Sequence, residues 1–271
     1  MNRRIKKILA ILLILTVVFA YGAFFYHSPV RPSGETLEQP SAAHILGTDN
    51  LGIDIFAQIS KGYFSSMTIG LLSAAATFVI GGVAGVAAGY YGGKVDFVIS
   101  FLINLFLSVP QLPIMIVIGA FFGQSMFNIV AVVALFSWAS VAKVIRGRTI
   151  SLCNSGYVKM AAYYGGKFFY LFKTHFKADI LPMLMVNAVF VIGRAIVQES
   201  SLAFLGLSDP INRSWGLMIN SATNFPGIYF TEYWKWWLMS PVICLTTVIL
   251  LVRFLSKELE QKLVLGQSGN G

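Results

Sequence analysis

Charged residues are scarce in this sequence, and their scarcity excludes most soluble folds. Only 11% of the 271 residues are Asp, Glu, Lys or Arg, whereas a soluble domain typically carries about a quarter. Apolar residues make up 56% of the chain, and the mean hydropathy is +0.74. Because a spanning helix takes roughly 20 apolar residues, the chain has room for about six spans. The composition therefore predicts an all-α membrane protein.

The motifs of several enzyme classes are also missing. The two Gly-Lys pairs, Gly93-Lys94 and Gly166-Lys167, lack the earlier Gly and the following Ser or Thr of a phosphate-binding loop. Neither H-E-x-x-H nor G-x-S-x-G is present. Two cysteines are too few for a disulfide framework. We therefore expect a protein that is not an enzyme, does not hydrolyse ATP and needs no cofactor.

The three histidines, His27, His44 and His175, are scattered along the chain. His27 and His44 share a polar segment with Asp49 and Asp54, so a transient Ni²⁺ contact is one interpretation. The commoner role of such residues is an ordinary one in a surface loop. We assign no metal site on this evidence.

Six apolar runs are separated by polar segments. Residues 27–61 predict a loop outside the bilayer that ends in a short helix near residues 53–63. The first run exceeds the usual apolar length of a signal peptide and has no clear cleavage site, so we favour an uncleaved span. Pro110 and Pro113 interrupt the third run. The runs are residues 8–25, 67–91, 97–122, 126–145, 180–207 and 236–254.

The positive charges predict the orientation of these spans. If both termini are cytoplasmic, 15 of the 20 Lys and Arg residues lie inside and four outside, while Arg194 lies within a span. An excess of Lys and Arg on the cytoplasmic side is the rule for membrane proteins. The same asymmetry accounts for the net charge of +9, so no nucleic-acid partner is needed.

Several residues within the spans suggest more than lipid contact. Arg194 falls near the bilayer centre, where a charge normally faces the bundle interior or a wet cavity. Gln198 shares its helix face, whereas Glu199 is turned away. A structural clamp and a role in transport both remain open for these intramembrane polar residues.

Small residues form a stripe in the second run. Gly81, Gly85 and Gly89 recur at every fourth position, which lets a neighbouring helix approach closely. Ordinary helix packing and a sliding or gating contact are both compatible with this stripe, and packing is the simpler interpretation.

Four segments of the sequence form a recognisable set of motifs. They are residues 44–54 (H-I-L-G-T-D-N-L-G-I-D), 89–96 (G-Y-Y-G-G-K-V-D), 199–207 (E-S-S-L-A-F-L-G-L) and 214–216 (S-W-G). Together these segments resemble the second-type permease of the dipeptide, oligopeptide and nickel ABC importers, and they occur in the family's order over nearly the whole chain. Two departures from the family's first segment are Ile45 in place of Pro and Ile53 in place of Arg.

The same resemblance implies a cytoplasmic helix that couples the permease to an ATPase, within residues 146–182. The family's motif there is E-A-A-x-x-x-G. In one alignment Lys159 takes the place of its Glu and Met160 that of one Ala, whereas a shift by one position keeps both alanines, as Ala161 and Ala162, but loses the Glu. We expect glycines to end the helix. Aromatic and basic residues there favour a protein interface, although an amphipathic helix on anionic lipid is an alternative. The expected coupling residues are Lys159, Met160, Ala161, Ala162, Gly165 and Gly166.

The resemblance implies an ABC importer type I permease fold with six transmembrane helices in a bacterial cell membrane. Its partners would be a homologous permease, two ATP-binding subunits, an extracytoplasmic solute-binding protein and membrane lipid. Residues 1–65 would hold the first helix and an extracytoplasmic segment, 66–262 the five-helix core, and 263–271 a flexible tail. Peptides and nickel or other metal chelates are the expected cargoes. A non-transporting receptor or scaffold remains the alternative, and an ion-coupled carrier would need inverted repeats.

Overall fold

The computed structural model describes residues 3–122, 125–207 and 213–268, and every named element in these ranges is helical. Five helices are long and apolar enough to cross a membrane, and a bent pair of shorter helices gives up to six spans. The expected all-α membrane fold is confirmed. Pro210, in the polar loop after the fifth apolar run, lies outside the described residues.

Ten α-helices follow in chain order within the described ranges. A π-helical turn, Phe172–Phe176, joins α7 to α8, so that Phe168–Phe204 forms one span. A 3₁₀ turn, Glu232–Lys235, precedes α10. The helices are α1 (Arg3–Phe24), α2 (Ile55–Tyr91), α3 (Gly93–Ser108), α4 (Gln111–Phe122), α5 (Met126–Asn154), α6 (Gly156–Tyr163), α7 (Phe168–Leu171), α8 (Lys177–Phe204), α9 (Trp215–Thr223) and α10 (Met239–Ser268).

Helix α2 is longer than the sequence suggested. The short helix expected at residues 53–63 and the span expected at 67–91 form one helix of 37 residues. Asp54 caps its start, since the carboxylate accepts a hydrogen bond from the Ala57 N–H at 2.8 Å. Gly62 does not break the helix, because one glycine costs only about 1 kcal/mol. It instead lies against Trp215, whose ring would be 3.0 Å from an added Cβ.

The third apolar run is broken at one of its two prolines. Val109 is extended, with φ −91° and ψ 128°, which is the conformation favoured before a proline. Helices α3 and α4 therefore meet at a bend of 83°. Pro113 lies in the first turn of α4, where a backbone N–H has no partner within the helix. The break lies at Pro110 and not at Pro113.

Several expected boundaries fall inside helices. Helix α5 continues through residues 146–154, so the segment 146–182 is largely helical rather than an open loop. The boundary expected between residues 65 and 66 lies within α2. Residues 263–268 of the expected tail belong to α10, and residues 269–271 lie outside the described part of the chain.

The chain divides into two compact units. The first comprises Met1–Leu71, Leu112–Val130 and Ile192–Leu255. The second comprises Leu72–Gln111, Ala131–Val191 and Ser256–Gly271.

In the first unit, α1 and α9 are both fixed to α2. The Thr16 and Tyr63 hydroxyls share a hydrogen bond of 2.6 Å, and Gly22 lies against Phe56 and Ser60. Trp215, at the start of α9, is fully buried. Its indole N–H donates to the Ile59 carbonyl at 3.0 Å.

In the second unit, the glycine stripe of α2 packs against α5. A Cβ at Gly85 would lie 2.7 Å from the Ala142 carbonyl oxygen, and one at Gly81 would lie 3.1 Å from that of Trp138. The stripe therefore lets two helix backbones come into close contact, which is the packing role that the simpler interpretation predicts.

Candidate coupling surface and buried carboxylate

Helix α6, the expected coupling helix, is anchored on one side and exposed on the other. Val158 is buried, and Ala161 is half-buried. Lys159, Met160 and Ala162 are exposed. Val158 thus holds the helix to its own unit, and the exposed face carries the positive charge of Lys159.

The end of α6 is set by two glycines, as the sequence predicted. Gly165 has φ +86°, a left-handed conformation that glycine adopts without strain. Its N–H donates to the Ala162 carbonyl at 3.0 Å, and the Gly166 N–H donates to the Ala161 carbonyl at 2.9 Å. These two bonds form a Schellman motif, so α6 ends sharply at Tyr163.

Two ion pairs join the ends of the helices that flank this segment. Arg146 of α5 binds Asp96 in the first turn of α3, with one bond of 2.7 Å. Arg148 binds Asp179 in the first turn of α8 at 2.5 Å. All four side chains are partly exposed, so each pair adds only about 0–1 kcal/mol of stability. Their main effect is to fix helix positions, and they join residues too far apart in sequence to be recognised from it.

The aromatic residues around α6 divide into two groups. Tyr163, Tyr164 and Phe169 are 80–85% exposed. Phe176 is fully buried, and the Phe168 ring stacks on Tyr91 at 6.0 Å between centroids. Only the first group is available for the protein interface that the aromatic content of this segment suggested, because the rings of the second group pack inside the unit.

An apolar groove of about 540 Å³ opens beside these aromatic residues. Helix α2, helix α7 with the π-helical turn after it, and the start of α8 form its walls. Its lining residues include Val83, Val86, Phe168, Phe169 and Leu181. The groove offers no charged group, so its chemistry suits apolar chains or side chains.

Glu199 forms a second polar site, in the first unit. Glu199 is buried, with 1% of the residue exposed. Ser66 donates to it at 3.1 Å and Ser200 at 3.4 Å, and Ser214 is a third hydrogen-bonding partner. The site thus joins α2, α8 and the cap of α9 through hydroxyl groups.

The other two expected intramembrane polar residues, Arg194 and Gln198, lie on α8 with Glu199. Gln198 is buried and Arg194 is half-buried. The observed partners of Glu199 are serines, as expected for a carboxylate turned away from Arg194. A role for Arg194 stays a prediction.

The polar segment between α1 and α2 is more ordered than a surface loop. His44 is buried, and its Nδ1 lies 2.8 Å from a carboxylate oxygen of the buried Asp54. Asp49 accepts from the Ile53 N–H and from the Gln58 side chain. His44 is therefore not the surface residue that the sequence suggested, because the turn before α2 folds over it.

The chain also has clear relatives among known proteins. A family model, Binding-protein-dependent transport system inner membrane component, matches residues 81–264. The chain is 32% identical over 253 residues to the dipeptide transport system permease protein DppC of Bacillus subtilis (strain 168), covering 90% of this chain and 78% of that protein. It is 29% identical over 246 residues to the probable D,D-dipeptide transport system permease protein DdpC of Escherichia coli (strain K12), covering 90% and 81%.

Another relative is the oligopeptide transport system permease protein OppC of Bacillus subtilis (strain 168). It is 28% identical over 244 residues, covering 88% of this chain and 78% of that protein. Among solved structures, an inward-facing MetNI methionine ABC transporter matches with a TM-score of 0.59, covering 76% of this chain and 96% of that one. Because the identity is 13%, this likeness is one of fold alone.

Proposed function

Since the chain belongs to the family of binding-protein-dependent transport system inner membrane components, we propose that it is a permease subunit of an ATP-driven importer. In this role it forms half of a translocation pathway across the membrane. Peptides are the favoured cargo, because the relatives described above are named for dipeptides, D,D-dipeptides and oligopeptides. None of those names supports nickel, which the sequence resemblance had included.

The exposed face of α6 is the observation that carries this proposal. A permease without an ATPase motif of its own needs a surface through which a separate ATPase acts on it. Helix α6 is short, sharply ended and anchored by Val158, and Met160 is 54% exposed. Exposed apolar side chains beside a positive charge are typical of a protein interface.

The proposed assembly follows from this surface. Two ATP-binding subunits engage the coupling helices of this chain and of a homologous permease, and an extracytoplasmic solute-binding protein delivers the peptide. Both termini of this chain are cytoplasmic in the assembly, which places 15 of the 20 Lys and Arg residues inside. Lipid surrounds the remaining apolar surface.

Co-purification of the ATPase subunit with the full-length chain tests the proposal. Ala161 is half-buried at the base of the exposed face, so a large ring there should prevent close docking. We expect Ala161→Trp to lose the ATPase and its substrate-stimulated activity. Ala42→Trp, the same change at an exposed position between α1 and α2, should retain both.

The charge of the helix gives an independent measurement. Lys159→Glu reverses the exposed charge without adding bulk, and it should weaken an ATPase contact that raised salt also weakens. Equal ATPase recovery with wild type and both α6 variants would reject the coupling surface. It would favour a helix that lies on lipid, and with it a receptor or scaffold that does not transport.

A further inference from the structure

A group of metal-ligating side chains lies in the segment between α1 and α2. His27, His44 and Asp54 can each present one ligand atom, and these atoms all lie within 4.8 Å of one another. The two imidazole rings are 4.9 Å apart between centroids. A carboxylate oxygen of Glu38 lies 3.8 Å from Nε2 of His44. None of these groups takes part in the coupling surface or the Glu199 site.

A hydrogen bond to Asp54 fixes the orientation of the His44 ring. Asp54 Oδ2 lies 2.8 Å from His44 Nδ1, and Oδ1 of Asp54 accepts the Ala57 N–H at 2.8 Å. A histidine that donates Nδ1–H to a carboxylate keeps the lone pair of Nε2 free, which is how metal-ligating histidines are commonly held. The free Nε2 is the atom that lies near Glu38.

The space beside Nε2 of His44 contains no side chain because residue 34 is a glycine. A Cβ at Gly34 would lie 2.5 Å from His44 Nε2 and 2.8 Å from Glu38 Oε2. Gly34 is also exposed, and Glu38 and His27 are half-exposed, so an ion can enter from solvent. Two ligand atoms about 2.1 Å from a tetrahedral ion lie about 3.4 Å apart, which is close to the observed 3.8 Å.

From this arrangement we propose that His27, His44 and Glu38 bind one divalent transition-metal ion, with Asp54 as the carboxylate that orients His44. His27 Nε2 lies 3.1 Å from the Ala43 carbonyl, and its donation there leaves Nδ1 as the ligand. Two imidazoles and a carboxylate suit zinc, nickel or copper, whereas calcium and magnesium prefer oxygen ligands alone. The ion is a resident clamp on this segment and is independent of the transported cargo.

Metal titration of the full-length chain tests this proposal. The chain is purified in detergent through a tag without histidines, stripped with a chelator and titrated with Co²⁺, whose visible spectrum reports its ligands. We expect one ion per chain that Zn²⁺ displaces. Glu38→Gln and His27→Ala should each weaken binding at least about tenfold. His175→Ala, which removes a histidine outside the cluster, should leave binding unchanged.

Gly34→Ala supplies a third variant, which keeps every ligand and fills only the space beside them. It should also weaken Co²⁺ binding at least about tenfold, because the added methyl group would collide with Nε2 of His44. Wild-type affinity in both His27→Ala and Glu38→Gln, or the absence of saturable binding in the wild type, would overturn the proposal. Loss of binding in His175→Ala alone would place the ion elsewhere and overturn it equally.

Discussion

At the scale of single residues, Glu199 shows how hydroxyl groups can hold a buried acid. Its observed partners are the hydroxyls of Ser66, Ser200 and Ser214. Burying a charge is costly unless it is paired or well hydrogen-bonded. Hydroxyl groups can serve either protonation state, because each can donate to a carboxylate or accept from a carboxylic acid. Glu199 therefore acts as a shared acceptor that joins α2, α8 and α9.

This arrangement predicts different results for two substitutions of Glu199. Glu199→Gln keeps an acceptor and nearly the same shape, so stability should change little. Glu199→Leu leaves buried hydroxyls unsatisfied, at roughly 1–3 kcal/mol for each, and should lower the melting temperature and the yield of assembled complex. Thermal unfolding monitored by size-exclusion chromatography measures both. Equal melting temperatures for Gln and Leu would contradict the shared-acceptor role.

The sequence could identify Glu199 as a candidate residue of this site, but it could not identify its partner Ser66. Glu199 stands out because it interrupts an apolar run and begins a family segment. Ser66 lies 133 positions away, and a serine in a membrane helix carries no signal of its own. His44 shows the same limit, since its burial depends on a turn that brings Asp54 to it.

At the scale of helices, the stripe of glycines determines how α2 meets α5. A Cβ added at Gly89 would lie 2.9 Å from the Arg146 carbonyl oxygen, and one added at Gly85 would lie 2.7 Å from the Ala142 carbonyl oxygen. Arg146 also binds Asp96 of α3. The close approach and the ion pair thus fix the end of α5 from two sides, just before α6 begins.

Alanine substitutions separate glycines that face a helix from those that do not. Gly85→Ala places a methyl group against backbone, and overpacking of this kind costs typically about 1–3 kcal/mol. Gly147→Ala on α5 meets nothing within 4 Å, and it should stabilise the helix by up to about 1 kcal/mol. Opposite shifts in melting temperature are therefore expected. If both variants change the melting temperature in the same direction, the glycine stripe is not a close contact between α2 and α5.

Helix types were predictable from the sequence, whereas several helix ends were not. Apolar length locates the spans, and Pro110 locates the bend, because both effects act over a few residues. The start of α2 and the end of α5 lie in polar sequence beyond the apolar runs. There Asp54 caps the start of α2, a local contact that hydrophobic periodicity does not report. On α5, Arg146 pairs with Asp96, which lies 50 positions away in sequence.

At the scale of the whole molecule, the number of spans depends on α3 and α4. In the described part of the chain, five helices are each long enough to cross a membrane, and the bent pair adds a sixth span only if it crosses as one. Composition and charge predicted six spans, which is the number reached if the bent pair crosses as one span. The membrane path of the bent pair is thus the feature of the fold that most directly determines topology.

Labelling of single cysteines distinguishes the two paths of α3 and α4. With six spans, the segment between α1 and α2 and helix α6 lie on opposite sides of the membrane, because α2, the bent pair and α5 cross between them. If the pair only dips into the bilayer, just two crossings separate them and they lie on the same side.

In a background without Cys153 and Cys244, we expect Ala42→Cys to react with an impermeant maleimide in intact cells. Ala162→Cys, equally exposed, should react only after the membrane is opened. Reaction of both from outside would show a re-entrant pair, and the reverse pattern would place both termini outside despite the excess of positive charge.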